Sequence, residues 1–237
     1  GKDEMPKKRT PLNAGEKKIL RDWIEGGAPW TLDKIDPATY VHGPDGTMNR
    51  VRRLTIPEYI ATVKAVTGVD IAMEATKLLP PDLRADGFSN TAYNLGVDLK
   101  HVEAYARLAA LTVGKMNIRE FAARFSSNRS LTQKPMRAHI EKLGKWILRG
   151  PLEDHEVNAY RGISTAVAAT GGSFDEAIGF IVEAMLQSPR FMYLVEQQNK
   201  TGTPVRISDY ELASRISYII WGAPPDEQLM QAADKNE

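Results

Sequence analysis

Apolar residues follow the spacing of an amphipathic helix in six stretches of the chain. Within each stretch, large apolar residues recur three or four positions apart, which places their side chains on one helical face. The predicted apolar faces are Ile19, Leu20, Trp23 and Ile24; Tyr59, Ile60, Val63 and Val66; Val102, Tyr105 and Ala109; Met136, Ile140, Leu143 and Ile147; Phe174, Ile178, Ile181 and Met185; and Leu212, Ile216 and Ile219. Signals for strands are scarce by comparison.

Capping patterns support this interpretation. Four of the stretches begin with Ser, Thr or Asn followed three positions later by Glu, a pair that can satisfy free N–H groups at a helix start. These pairs are Asn13 and Glu16, Thr55 and Glu58, Ser173 and Glu176, and Ser208 and Glu211. We expect further helices near 70–79, 117–125, 153–169 and 225–234. The pattern predicts an all-α fold, a bundle of about 8–10 helices.

Three irregular segments interrupt the helical pattern. They are residues 27–51, 79–90 and 197–207, which are rich in Pro, Gly, Asp and other polar residues. A chain of 237 residues can bury a sizeable core in one or two domains. No apolar run approaches the roughly 18–20 residues of a membrane-spanning helix.

Charge is balanced overall but uneven along the chain. The 31 Lys and Arg nearly match the 30 Asp and Glu, whereas residues 115–150 hold nine Lys/Arg and two Glu, a local net charge of +7. Such a basic stretch suits an anionic glycan or acidic segments of the same protein. No groove-reading motif accompanies it, which argues against nucleic-acid binding.

The chain offers little self-contained chemistry. It has no Cys, which excludes disulfides, thiolate metal sites and covalent haem attachment by this chain. No known catalytic motif is present, and none of the residues 28–237 is predicted to be catalytic. The four His show no paired metal spacing, and His101, His139 and His155 are predicted to be surface residues of helices. Asp82, Arg84 and Asp86 resemble a calcium loop only partly, and we expect Arg84 to pair with one of the two Asp.

The N-terminal segment resembles the last third of a small c-type cytochrome. The resemblance rests on Met5-Pro6, a basic stretch, and the sequence LNAGEKKILRDWIEGGA over residues 12–28. In those domains the Met is the sixth ligand of the haem iron, and the helix ending in W-I-x-x-G-A packs over the haem. The resemblance therefore implies that Met5 is an axial iron ligand and that Trp23 contacts the haem.

The rest of the chain resembles planctomycete-type multidomain c-type cytochrome proteins. The similar segments are residues 52–90, 148–196 and 207–233, in the order that these proteins have. The resemblance implies haem c, attached by a C-x-x-C-H upstream of this chain, and a periplasmic or extracellular location. It divides the chain into the end of a cytochrome c-like domain (1–30), a linker (31–51), two helical domains (52–115 and 116–196) and the start of a third (197–237).

This resemblance favours an internal segment of a secreted electron-transfer protein, whose partner is a redox protein or other segments of the same polypeptide. Two alternatives from other classes stay open. One is a non-redox cell-surface structural or interaction protein. The other is a module for degrading an anionic polysaccharide, which residues 115–150 would bind.

Overall fold

A computed structural model describes residues 13–26, 50–82, 95–131, 133–196 and 207–236. The chain divides into two compact units, Gly1–Gly46 and Thr47–Glu237. The first unit contributes one described helix, α1 (Ala14–Glu25). Asn13 and Glu16 form the expected reciprocal capping box at its start.

The second unit contains ten described helices and two short strands. In chain order they are β1 (Arg50–Arg53), α2 (Ile56–Thr67), α3 (Ala72–Leu78), α4 (Leu99–Lys115), α5 (Ile118–Ala123), α6 (Gln133–Ile147), α7 (Asp154–Ala169), α8 (Phe174–Leu186), α9 (Pro189–Met192), β2 (Tyr193–Glu196), α10 (Asp209–Trp221) and α11 (Glu227–Lys235). The predicted all-α class is confirmed, and the described helices number eleven.

Helix α8 lies at the centre of the second unit. It packs against α4, α5, α6 and α7, and eight of its thirteen residues are buried. Ser173 and Glu176 cap its start as predicted. Because several helices pack against α8, most of its side chains are apolar.

The two strands form an antiparallel pair that the sequence pattern did not predict. Val51 pairs with Val195, and Arg53 pairs with Tyr193. The pairing joins segments about 140 positions apart in the chain, a distance that local periodicity cannot report. It holds the entry to α2 next to the end of α9, where the Leu54 amide also donates to the Met192 carbonyl at 2.8 Å.

A single hydrophobic cluster extends through the second unit. It includes Leu54 before α2, Leu108 on α4, Ile140 on α6, Ile178 on α8 and Tyr218 on α10. The cluster thus crosses the predicted domain boundaries at 115/116 and 196/197. The division into three helical domains stays a prediction, and the hydrophobic packing is continuous across both boundaries.

Two of the predicted apolar faces are exposed, those of α1 and α10. On α10 the predicted face of Leu212, Ile216 and Ile219 points outward, with Ile219 76% exposed, and α10 packs through Ala213 and Tyr218 instead. No described helix combines the length and apolar composition that crossing a membrane requires.

Candidate functional site

Helix α1 carries the only predicted cofactor contact that the structure describes. Trp23 lies on α1 and is 41% exposed, and the other members of its apolar face, Ile19, Leu20 and Ile24, are more exposed still. No residue of α1 is buried. A helix with such a face gains stability by covering it with another apolar surface. Met5, the predicted iron ligand, lies outside the described residues.

The face of α1 fits a flat apolar group as well as it fits protein. Ile19, Leu20, Trp23 and Ile24 form a stripe with a broad aromatic ring, and the charged neighbours Lys18 and Asp22 pair with each other at 2.6 Å on another side. A porphyrin has a large apolar surface, so these residues could cover part of one. The roles of Met5 and Trp23 stay predictions.

Arg53, the last residue of β1, is a buried charged residue of the second unit. Its side chain is 2% exposed, and its Nη2 contacts the Asp82 carboxylate at 2.7 Å. Its Nη1 donates to the Tyr105 hydroxyl at 3.2 Å and to the Leu54 carbonyl at 3.1 Å. The second oxygen of Asp82 accepts from the Ile56 amide at 2.7 Å, at the start of α2.

These contacts give Asp82 a structural role, while the pairing of Arg84 with Asp82 or Asp86 stays a prediction. The carboxylate binds Arg53 and the first turn of α2, so it braces the fold and is not available as a calcium ligand. Arg84 and Asp86 lie outside the described residues. Among the residues that are described, no three His, Asp or Glu side chains lie close enough to hold a metal ion.

Arg149 is a second buried guanidinium, and carbonyl oxygens bind it. It donates to the carbonyls of Phe191 at 3.1 Å and Tyr193 at 3.0 Å, and also to that of Arg190. Its backbone has a φ of 60°, which suits the sharp turn after α6. The guanidinium lies over the ring of Tyr218 at 5.6 Å. Arg149 therefore connects α6, α9, β2 and α10.

The cations of residues 115–150 mostly bind carboxylates of the same chain. Lys115 contacts Glu74 at 2.5 Å, and Lys145 contacts Asp234 at 2.5 Å. The remaining pairs are Arg119 and Arg129 with Asp175, and Arg137 with Glu141 and Asp154. These contacts link the basic stretch to helices on both sides of it in sequence, the second of the two roles we expected for it.

Four cations of the stretch have no carboxylate partner among the described residues, namely Arg124, Lys134, Lys142 and the buried Arg149, which carbonyl oxygens bind. Arg124 lies over the rings of Trp146, Phe121 and Phe125 at 5.3–5.7 Å. Trp146 is half-buried and donates its indole N–H to the Val66 carbonyl at 3.0 Å. Little unpaired charge therefore remains for an anionic glycan.

The prediction that the helical His are surface residues is wrong for two of them. His155 is exposed. His101 is buried at the start of α4 with its Nδ1 2.7 Å from the Asp98 carboxylate. His139 is 1% exposed, and neither of its ring nitrogens has a hydrogen-bond partner in the described structure.

One open cleft lies between α2 and α3 and has a volume of about 680 Å³. Its walls are mainly apolar and include Ile56, Pro57, Ile60 and Ala61. Lys64 and Asp70 form an exposed ion pair at its rim, at 2.8 Å. None of these groups forms a pair of the kind that nucleophilic or acid–base catalysis uses.

Sequence models of three domain families match the second unit in order. PSD3, described as a protein of unknown function (DUF1587), matches residues 52–116. PSD5, with the description DUF1595, matches 136–196, and PSD4, with the description DUF1592, matches 207–237. Each model matches only a part of the chain, and the three matched parts do not overlap. No curated protein and no solved structure matches it.

The three matches confirm part of the predicted resemblance. Residues 52–90, 148–196 and 207–233 were assigned to successive domains of unknown function, and each lies in or overlaps one matched family. The DUF1587 match ends at 116 and the DUF1595 match begins at 136, on α6. Helix α5 therefore lies outside both matches. Residues 1–28 lie outside all three matches, so the cytochrome resemblance stays a prediction.

Proposed function

We propose that this chain is part of a multidomain c-type cytochrome protein that transfers electrons outside the cytoplasm. The observation that carries the proposal is the order of segments. A stretch similar to the end of a c-type cytochrome precedes three domain families of unknown function that occur together in one chain. The resemblance supplies the redox role and the periplasmic or extracellular location.

In this proposal α1 covers one side of the haem. The exposed stripe of Ile19, Leu20, Trp23 and Ile24 would exclude water from the porphyrin edge. The Asn13–Glu16 capping box fixes where the helix begins.

Met5 would supply a thioether ligand to the iron, and a His of the upstream C-x-x-C-H would supply another. A thioether is a neutral, soft ligand, and a His–Met pair raises the reduction potential of haem iron. When bound, the haem iron would accept and release single electrons without forming bonds to the partner. The second unit would act as a rigid helical scaffold that positions the haem domain against a redox partner or another segment of the polypeptide.

The absorption spectrum of the protein purified from its native host tests this proposal. We expect a Soret band that survives acid–acetone extraction, because haem c is covalently bound, and a Met–iron charge-transfer band in the oxidised form. Met5→Ala should abolish the charge-transfer band and lower the reduction potential. Met73→Ala is the matched control, since Met73 is 79% exposed on α3. A colourless native protein would refute the redox role.

The two alternatives predict different results. A structural or interaction protein would show no haem absorption. Its absorption spectrum would therefore be the same in Met5→Ala as in the unaltered protein. A polysaccharide-binding module would retain an anionic glycan in a salt-sensitive way that Lys134→Gln and Lys142→Gln weaken. The internal ion pairs of the basic stretch argue against this last function.

A further inference from the structure

His139 occupies a core position of α6. It lies three positions after Met136 and four before Leu143, so it shares the buried face of the helix with both and with Ile140. Neither Nδ1 nor Nε2 has a hydrogen-bond partner in the described structure. Burying a polar ring without partners costs free energy that an apolar side chain of the same size would not.

The imidazole ring packs against two phenylalanine rings from other elements. Phe174, the first residue of α8, packs edge-on with a centroid distance of 5.4 Å. Phe125, in the turn after α5, also packs edge-on, with a centroid distance of 6.4 Å. Phe125 in turn packs against Phe121 of α5 at 5.4 Å. His139 therefore joins the segment 118–131 to α6 and α8.

Both cations and carboxylates surround this cluster, and the carboxylates have other partners. Arg124 lies over Phe121 and Phe125, Arg129 lies over Phe174 at 5.3 Å, and Lys142 follows one turn later on α6. The nearby carboxylates are already occupied: Asp175 by Arg119 and Arg129, Glu141 by Arg137, Glu120 by the start of α5, and Glu176 by the start of α8. Burial and the charge of Lys142 lower the pKa of His139 to about 4.

We propose that His139 makes the packing of segment 118–131 against α6 and α8 sensitive to mild acid, so that a fall in pH opens this segment before the rest of the unit. A charged imidazole needs hydrogen-bond acceptors or water, and the closed packing supplies neither. When the segment opens, water can reach the His139 ring and solvate its charge. Proton binding therefore stabilises the open form.

The direction and size of the pH effect on opening follow from the difference in proton binding between the closed and open forms. Between the low pKa of the closed form and the ordinary value of about 6.5, the open form binds more protons, so stability is full above about pH 6.5 and falls as the pH drops. From pH 7.5 to 5.0 the equilibrium constant for opening should rise about 30-fold. Opening would also separate Arg119 and Arg129 from Asp175 and expose an arginine-rich aromatic surface.

Hydrogen exchange measured by mass spectrometry tests the proposal. The purified protein is compared at pH 7.5 and 5.0, with exchange times corrected for the intrinsic chemical rate. We expect protection in 118–131 to fall about 30-fold, while α4 and the centre of α8 keep theirs. His139→Leu should abolish the pH effect. His155→Gln, at an exposed His, and His101→Gln, at a buried His with a carboxylate partner, should retain it.

Two results would overturn the proposal. In one, His139→Leu loses protection in 118–131 between pH 7.5 and 5.0 as much as the unaltered protein does. In the other, protection falls equally across residues 50–236, which would show global acid unfolding instead of a local opening. His139→Phe repeats the test with an aromatic ring in case Leu packs poorly against Phe125 and Phe174. Both substitutions remove the titrating group, so they must agree.

Discussion

Replacing Asp82 by Ala should destabilise the second unit strongly, because it leaves a buried guanidinium without its carboxylate. Arg53 would keep only neutral partners, the Leu54 carbonyl and the Tyr105 hydroxyl among them, while remaining 2% exposed. Removing one member of a buried ion pair typically costs about 3–5 kcal/mol. Loss of the Asp82 contact to the Ile56 amide at the start of α2 adds to this cost.

Urea unfolding followed by circular dichroism measures this effect. We expect the free energy of unfolding of Asp82→Ala to fall by about 3–5 kcal/mol, with the midpoint shifting to lower urea at an unchanged slope. The matched control is Asp70→Ala, which breaks the exposed pair with Lys64 and the exposed hydrogen bond that Asp70 accepts from the Ala72 amide. That change should cost less than about 1 kcal/mol, because water and salt screen the pair.

The double variant Arg53→Met with Asp82→Leu separates the charge from the packing. Replacing both members of a buried pair by apolar residues is often close to neutral. The double variant should therefore be more stable than Asp82→Ala. A loss below about 1 kcal/mol for Asp82→Ala, or equal losses for Asp82→Ala and Asp70→Ala, would refute the reasoning that burial makes this pair important.

Two further predictions concern helix packing and the turn after α6. Gly144→Ala should destabilise by about 1–3 kcal/mol, because a Cβ there would collide with the Leu152 side chain. Gly162→Ala, in open space on α7, should instead stabilise by about 0.5–1 kcal/mol; thermal unfolding distinguishes the two. Arg149→Met should lower the free energy of unfolding by about 2–4 kcal/mol, because it leaves the Phe191 and Tyr193 carbonyls without their donor. Equal urea midpoints for Arg149→Met and the unaltered protein would contradict this.

The helices were predictable because their signals are local. Thr55 and Ser208, each with a Glu three positions later, form the capping boxes that the sequence indicated. The β1–β2 pair was not predictable, since each strand has four residues and its partner is distant in the chain. Pairing of this kind depends on where the helices place the two segments.

Of the three buried residues His139, Arg53 and Arg149, only His139 had a usable signal in the sequence. Its spacing from Met136 and Leu143 places it on the predicted apolar face of α6, which outweighs the general tendency of a lone His to be exposed. Arg53 and Arg149 had no such signal. Their partners are carbonyls and a carboxylate brought close only by the tertiary fold, and an Arg in sequence looks the same whether it is buried or solvated.

Contacts between the matched families indicate that the second unit unfolds as one. Tyr218, in the DUF1592 match, is buried with its hydroxyl 2.7 Å from the Thr62 hydroxyl, in the DUF1587 match. Thr62 donates its own proton to the Glu58 carbonyl at 2.6 Å, so Tyr218 must be the donor to Thr62. The ring of Tyr218 also lies beneath Arg149, in the DUF1595 match.

Tyr218→Phe should therefore lower the stability of all three segments together, by about 1 kcal/mol. Trp146 fluorescence, with the other Trp replaced by Phe, reports on α6, and far-ultraviolet circular dichroism reports on the helices as a whole. In a cooperative unit the two urea transitions coincide and shift equally in Tyr218→Phe. Ile219→Ala, at an exposed position of the same helix, should shift neither by more than about 0.5 kcal/mol. Two separate transitions, with only one responding to Tyr218→Phe, would mean that the three families fold as independent domains despite their shared core.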